Sequence, residues 1–523
     1  MRLLLAIVLL ASLFAGCSDG GDKPAPPAAA TPAGFPRDLV IDITGNRTGG
    51  VAPGLEGPMS VVLHKVGKNG GEPNIGITSD GSVFVTSGGL TMRSQDHGAS
   101  WTEVFNLTAF WGPLYDPEAL PNSWPVPVCG TVPSLPLVGC PQPDQVRGLT
   151  RSSDPMLWVD TDTDRVFTDH MTGLYCSKLF FSDDIGESWV PSPVDCGVPV
   201  NDHQKIATAR YGPAAAPPTD GIYPNVVYYC YNKLVSTNCA VSLNGGLSFQ
   251  YDRPVTIANT NDEAQPSLMS ECGGINGHPA PHPDGTMFVP MTLGCSAPNV
   301  GVSEDNGLTW AVRAGPTDHG ANEIDPDITV TPDGTAYMLY RGDDEIQYLV
   351  RSPDKFRTWE GPWRVTPYGV NSTVFAGITS QEDGRIAMAF LGTRDWTGDP
   401  SEAANETRWH LWTVFSYDAA AQEPHFRAIQ VTPEEEPVQI GCVWLGGGGN
   451  PCRNMLDFID MASDRDGRPM VVFTDGCYLE CDGNVSATNN NSRSRAVTVA
   501  VLEEGPSLVA ANKFVAGDVV KSG

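Results

Sequence analysis

An all-β chain whose strands fall into repeated units closed into a ring, a β-propeller, is the fold class this 523-residue sequence predicts. Two observations carry that prediction. The phrase S-x-D-x-G-x-x-W occurs three times in full: Ser94, Asp96, Gly98 and Trp101; Ser182, Asp184, Gly186 and Trp189; Ser303, Asp305, Gly307 and Trp310. Worn copies at Ser242–Phe249 and Ser352–Trp359 keep the same frame. A longer unit repeats as well, with a mostly acidic or polar start, an alternating strand, an Asp-Gly-like turn and a second strand, which is a strong short-range hairpin signal. Its copies start at Glu72, Asp154, Asp202, Gln265, Asp325, Phe375 and Asp457, 48 to 82 residues apart. Seven copies favour seven blades over six, and the longer intervals must carry loop insertions.

Taken in order, residues 1–16 read as a signal peptide: Arg2, an apolar run Leu3–Phe14, then Ala15-Gly16 ahead of Cys17. The run is too short for a membrane span. The ending resembles a lipobox, which implies Cys17 as a lipidated first residue and a lipid anchor in the cell or outer membrane. Residues 17–36 have the Pro/Ala/Gly composition of a flexible tether. Residues 37–510 form the propeller, and 511–523 a C-terminal tail. The last two units lack the short phrase and show plain strands, such as Trp409–Ser416 and Ala496–Leu502. Leu39–Thr44 or Val61–Val66 supplies the strand that closes the ring, since an open ring leaves an unpaired edge.

The short phrase has a local physical logic. Ser and Asp side chains bond the N–H groups of a tight turn, Gly takes a positive φ, and the aromatic residue restarts a strand with a large apolar face. It resembles the Asp-box, or BNR, repeat of sialidase-like β-propellers, among them proteins assigned exo-α-sialidase activity by similarity. The resemblance covers nearly the whole folded body as architecture. It implies that the boxes are structural and sit away from the central site, while functional side chains come from the inner-strand starts.

Those starts place Glu72, Asp154, Asp202, Gln204, Glu263, Asp325 and Asp457 at one channel mouth. Carboxylates brought that close raise one another's pKa or recruit a cation. They form either a cation site or an acid/base pair, or they bond loop backbone at the start of each strand. The sequence names no cofactor, and calcium is the ion considered. Asp160-Thr-Asp162-Thr-Asp164 begins like a calcium loop but lacks the Gly and Glu that such a loop needs, so it reads as a hairpin turn. The resemblance also implies what a sialidase would require: three arginines, a Tyr nucleophile paired with a Glu, and an Asp acid/base. Gly34-Phe35-Pro36-Arg37 departs from the family's arginine context. Asp202, His203, Asp325, Tyr340 and Arg341 are the catalytic candidates that remain, with Arg394 and Arg453 as further arginines.

The formal charge of −29, from 61 acidic and 32 basic residues, excludes a nucleic-acid partner. Thirteen cysteines, twelve without Cys17, suggest disulfides in an oxidising compartment. Sequential pairing gives Cys230–Cys239 and Cys272–Cys295, and a zinc cluster of Cys442, Cys452, Cys477 and Cys481 has no standard spacing. The leading expectation is an extracytoplasmic, lipid-anchored monomer that binds a glycan, a peptide or a cation at its acidic mouth. The alternatives are a glycoside hydrolase of exo-α-sialidase type and an envelope assembly scaffold.

Overall fold

The computed structural model describes residues 35–67, 70–107, 153–172, 176–192, 201–214, 222–233, 236–255, 257–258, 266–267, 275–292, 295–446, 450–477 and 495–517. Cys17, the tether up to residue 34 and Glu263 lie outside them.

Seven antiparallel sheets form the blades of a propeller. The first is Asn74–Ile77, Val83–Ser87, Leu90–Ser94 and Thr102–Asn106; the second is Ser153–Asp160, Arg165–Thr172, Cys176–Ser182 and Val190–Ser192. The third is Asp202–Arg210, Asn225–Asn232, Thr237–Ser242 and Tyr251–Pro254; the fourth is Ala280–Pro281, Met287–Met291, Asn299–Ser303 and Ala311–Ala314. The fifth is Asp327–Val330, Ala336–Arg341, Gln347–Ser352 and Glu360–Arg364. The sixth begins Ser372–Ser380, Ile386–Thr393, Arg408–Ser416 and Phe426–Gln430, and the seventh Asp460–Ser463, Pro469–Asp475 and Ala496–Pro506.

Both N-terminal segments join the ring, on different blades. Ser60–Lys65 pairs with Ala496–Pro506 and completes the seventh blade, while Asp38–Ile41 pairs with Phe426–Gln430 and adds a fifth strand to the sixth. Each covers an edge that would otherwise expose unpaired backbone groups. The expected tail is also engaged, because Lys513–Phe514 pairs with Gly505–Pro506. One expected boundary moves. Gln265, the expected start of the fourth unit, lies outside the described residues; Pro266–Ser267 pairs with Ile257–Ala258 in a separate two-stranded ribbon, and the fourth blade opens at Ala280.

The core lies between the blades, so strands buried on both faces read as near-continuous apolar runs. Arg408–Ser416 shows this: Trp409, Leu411 and Phe415 pack toward the seventh blade with Phe473 and Leu502, whereas Trp412 and Val414 pack toward the fifth with Tyr337 and Leu349. The period of two is hidden because neither face meets water.

The boxes join the third and fourth strands of the first five blades, and all five repeat one geometry. In the fourth blade Ser303 Oγ accepts Gly307 N–H at 2.8 Å and donates to Asp305 Oδ1 at 3.0 Å, while the other Asp305 oxygen accepts the Thr309 hydroxyl at 2.6 Å. In the third blade Asn244 replaces the Asp and still accepts Ser248 N–H at 2.9 Å. In the fifth, Phe356 holds the Gly position with φ +62°. The glycine is needed for contact as well as for conformation. A Cβ on Gly186 would lie 3.2 Å from Phe84 of the preceding blade, and one on Gly307 2.7 Å from Val241. Each box thus seats its hairpin on the blade before it. The Trp189 indole does the same by donating to Val104 O at 2.9 Å.

Cys230–Cys239 bridges facing positions of two strands in the third blade, and Cys442–Cys452 closes a ten-residue separation. The second bridge rules out a zinc cluster built on those two thiolates. Cys295 and Cys477 are also disulfide-bonded. Among the described residues no helix is long and apolar enough to cross a membrane.

Candidate functional site at the channel mouth

Because adjacent strands alternate in direction, the inner-strand starts gather at one end of the ring and the boxes at the other. The acidic starts are therefore remote from the Asp-boxes. Five of the seven inner strands have, within four residues of their first residue, a non-glycine residue with positive φ: Glu72 (+54°), Asp154 (+43°), His203 (+48°), Phe375 (+66°) and Leu456 (+66°). The ladder register slips at three of these starts, between Ser153 and Met156, Asp202 and Lys205, and Val374 and Gly377. Such bulges re-aim side chains, and backbone in this conformation costs free energy that the surrounding fold must offset.

The outer layer of the mouth is a chain of carboxylates with two cations on one side. Glu72 Oε2 accepts Asp154 N–H at 3.1 Å, and Asp154 Oδ2 lies 3.4 Å from His203 N. Gln204 donates its side-chain amide to Asp154 O. His203 Nε2 stands 3.6 Å from Asp457 Oδ2, and Arg453 bonds Asp457 while approaching Glu72 Oε1 to 3.6 Å. Burial pushes the Glu72 carboxyl well up, and the nearby Asp154 and Asp457 push it further. Asp202 is raised by partial burial and by Asp154, against the opposing pull of His203. Burial alone would lower His203, but hydrogen bonding to Asp457 and the charge of Asp154 hold it up, at about 9. The same contact keeps Asp457 below its ordinary range despite burial. Asp202 is the carboxylate of this layer that keeps part of its surface in solvent.

A second layer lies deeper. Lys205 Nζ is 2.7 Å from Asp325 Oδ2, with both side chains fully buried, and sits 3.8 Å over the Phe458 ring. Beside that pair are His278, Asp327 and Asp460, each offering a ligand atom within 4.8 Å of the others'. Asp327 and Asp460 also tie blades together: Asp327 Oδ2 accepts Ile378 N–H at 2.8 Å, and Asp460 Oδ2 accepts Ile75 N–H at 2.9 Å. Asn74 repeats the device, accepting Leu157 N–H at 3.3 Å.

The mouth thus brings together Glu72, Asp154, Asp202, His203, Gln204 and Asp457, and Asp325 lies below them. Two candidates stand elsewhere. Tyr340 is buried between blades beside Tyr348, with ring centroids 6.2 Å apart. Arg341 is held by Glu345 and by Asn322 O. The three arginines of interest occupy separate networks, with Arg341 on Glu345, Arg394 on Glu434 and Arg453 on Asp457. Sequence reasoning missed Lys205, His278, Asp327, Phe458 and Asp460. The available signal was that Lys205, Asp327 and Asp460 follow the unit starts Asp202, Asp325 and Asp457 by two or three residues.

No protein-family model matches the chain, and no curated protein matches it. Among solved structures it is similar to a protein of unknown function from Dyadobacter fermentans, at 12% identity over 86% of this chain and 99% of that one, TM-score 0.38. It is similar to YCF48 from Cyanidioschyzon merolae, at 11% identity over 88% and 98%, TM-score 0.39. It is also similar to the NanB sialidase of Streptococcus pneumoniae, at 10% identity over 86% and 69%, TM-score 0.37.

Proposed function

We propose that this chain is a non-catalytic binding propeller of the extracytoplasmic space, tethered through Cys17, whose mouth takes an organic cation, an ammonium or guanidinium group. The observation that carries the reading is the row Glu72, Asp154 and Asp202, set side by side on successive inner-strand starts with Asp202 facing solvent. Arg453, which also reaches Glu72, and His203 are shared with Asp457, so the carboxylates Glu72, Asp154, Asp202 and Asp457 outnumber the cations beside them. A ligand cation relieves the repulsion that raises Asp202 and Glu72. The chain's −29 formal charge favours its approach at low salt. The disulfides support an oxidising compartment.

The ammonium chemistry is common to a basic peptide and a polyamine. Equilibrium binding of fluorescent tri-lysine, with spermidine as competitor, separates the two sources, and saturable binding is expected. A screen of fluorogenic sialosides and other glycosides on the same preparation is expected to show no turnover. Turnover abolished by Asp202→Asn in a folded variant overturns the non-catalytic reading.

A further inference from the structure

We infer that His278, Asp327 and Asp460 form a divalent transition-metal site in the channel, below the mouth, for an ion such as Zn²⁺ or Mn²⁺.

Geometry comes first. One ligand atom from each residue lies within 4.8 Å of the other two, and His278 Nδ1 is 3.9 Å from Asp327 Oδ1. A modest inward movement of side chains brings such a set around one ion. The three come from the start of the fourth, the fifth and the seventh blades around the channel wall. His278 pairs by an isolated parallel bridge with Asp327, and Asp460 opens the seventh blade.

The second observation is a set of polar atoms without partners. Both ring nitrogens of His278 are buried and accept or donate no hydrogen bond among the described residues, and the same is true of Asp325 Oδ1 on a fully buried side chain. A buried imidazole left so is costly unless something binds it.

Charge balance is the third. The charged groups that act on the cluster are Lys205, Asp325 and His203. Lys205 compensates Asp325, and His203 compensates Asp457. Asp327 and Asp460 remain, two buried carboxylates that each offer an oxygen within 4.8 Å of the other's. Two negative charges beside a neutral imidazole are matched by one divalent cation. The donor set selects the class: one nitrogen and two carboxylates suit Zn²⁺ or Mn²⁺, whereas Ca²⁺ takes six to eight oxygens. The competing arrangement is a proton shared between Asp327 and Asp460.

His278→Gln is the clean variant, because the His278 side chain makes no hydrogen bond among the described residues and the backbone bond from His278 N–H to Pro326 O is kept. The full chain is stripped with a chelator, dialysed against Zn²⁺ or Mn²⁺, and its bound metal measured by mass spectrometry. Co²⁺ uptake is followed by visible absorption. One equivalent per chain is expected for the wild type, with affinity weakened at least about tenfold and the Co²⁺ band lost in His278→Gln. No stoichiometric uptake by the wild type, or equal uptake by His278→Gln, overturns the site and leaves the shared proton. Tri-lysine binding at the mouth is expected to survive His278→Gln, so the two readings fail separately.

Discussion

Asp460 in the seventh blade accepts the backbone N–H of Ile75 in the first, Oδ2 to N 2.9 Å, across the seam where the ring closes. Its other oxygen accepts Met461 N–H at 2.7 Å. Both bonds are buried, so removing the acceptor leaves two N–H groups without water to replace it. In chelator, Asp460→Ala is expected to destabilise the chain by about 1–3 kcal/mol, and Asp460→Asn by less, because the amide oxygen still serves one donor. Urea unfolding of the three proteins measures this. Equal costs for the two variants would remove the hydrogen bonds from the account.

The boxes act on stability and leave the mouth alone. Gly307 has φ +77°, and a Cβ there would meet Val241 at 2.7 Å. Gly307→Ala is expected to cost about 1–3 kcal/mol from the left-handed backbone and the forced shift of Val241. Affinity for tri-lysine should stay unchanged, because the box lies at the far end of the blade. A weakened affinity with intact folding would couple the two ends.

Stability has a pH signature at His203. Its folded pKa is raised to about 9, above the ordinary value near 6.5, so the pair with Asp457 contributes fully below pH ~6.5. That contribution is lost as pH rises through about 9. Wild-type melting temperature is expected to fall across this window, and His203→Gln to flatten the fall. Identical profiles for the two would show that the His203–Asp457 pair is unlinked to folding.

Cys230–Cys239 closes a separation of nine residues. In the chain-entropy account that loop length is worth about 2.5 kcal/mol. The Cys230→Ala/Cys239→Ala double variant should lose about that much in urea unfolding. No loss would mean that the strand pairing alone restrains the unfolded chain there.

The architecture was legible because its signals are local. Ser303, Asp305 and Gly307 meet within five residues, and the Asp-Gly turns, such as Asp333-Gly334 and Asp466-Gly467, each close their own hairpin. The fourth unit was set early, on a short polar-to-apolar stretch that imitates a strand start, whereas its blade opens at Ala280. Its inner strand, Ala280–Pro281, is two residues long and flanked by prolines that mute the alternation. The two N-terminal strands could be seen as closing strands, but their partners come from more than 380 residues away and no local pattern names them. At the site, Glu72, Asp154, Asp202 and Asp457 were legible because the repeat aligns them. Lys205, Asp327 and Asp460 were not, because the bulges at several strand starts shift which residue turns inward, and a positive φ at Asp154 or His203 leaves no mark in composition. His278 sits in a Pro-rich loop before its blade and enters the channel only through tertiary pairing with Asp327.

The central claim, a cation-binding mouth, is tested most directly by calorimetric titration of tri-lysine into three folded proteins at low salt: wild type, Asp202→Asn and Asp305→Asn. Both variants remove one carboxylate charge, the first at the mouth and the second at a box. The account predicts saturable binding to the wild type, an affinity for Asp202→Asn weakened about tenfold, roughly one charge-assisted hydrogen bond, and an Asp305→Asn affinity close to wild type. Absence of saturable binding to the wild type, or equal weakening by both variants, would contradict it and reduce the acidic mouth to backbone bonding at the inner-strand starts.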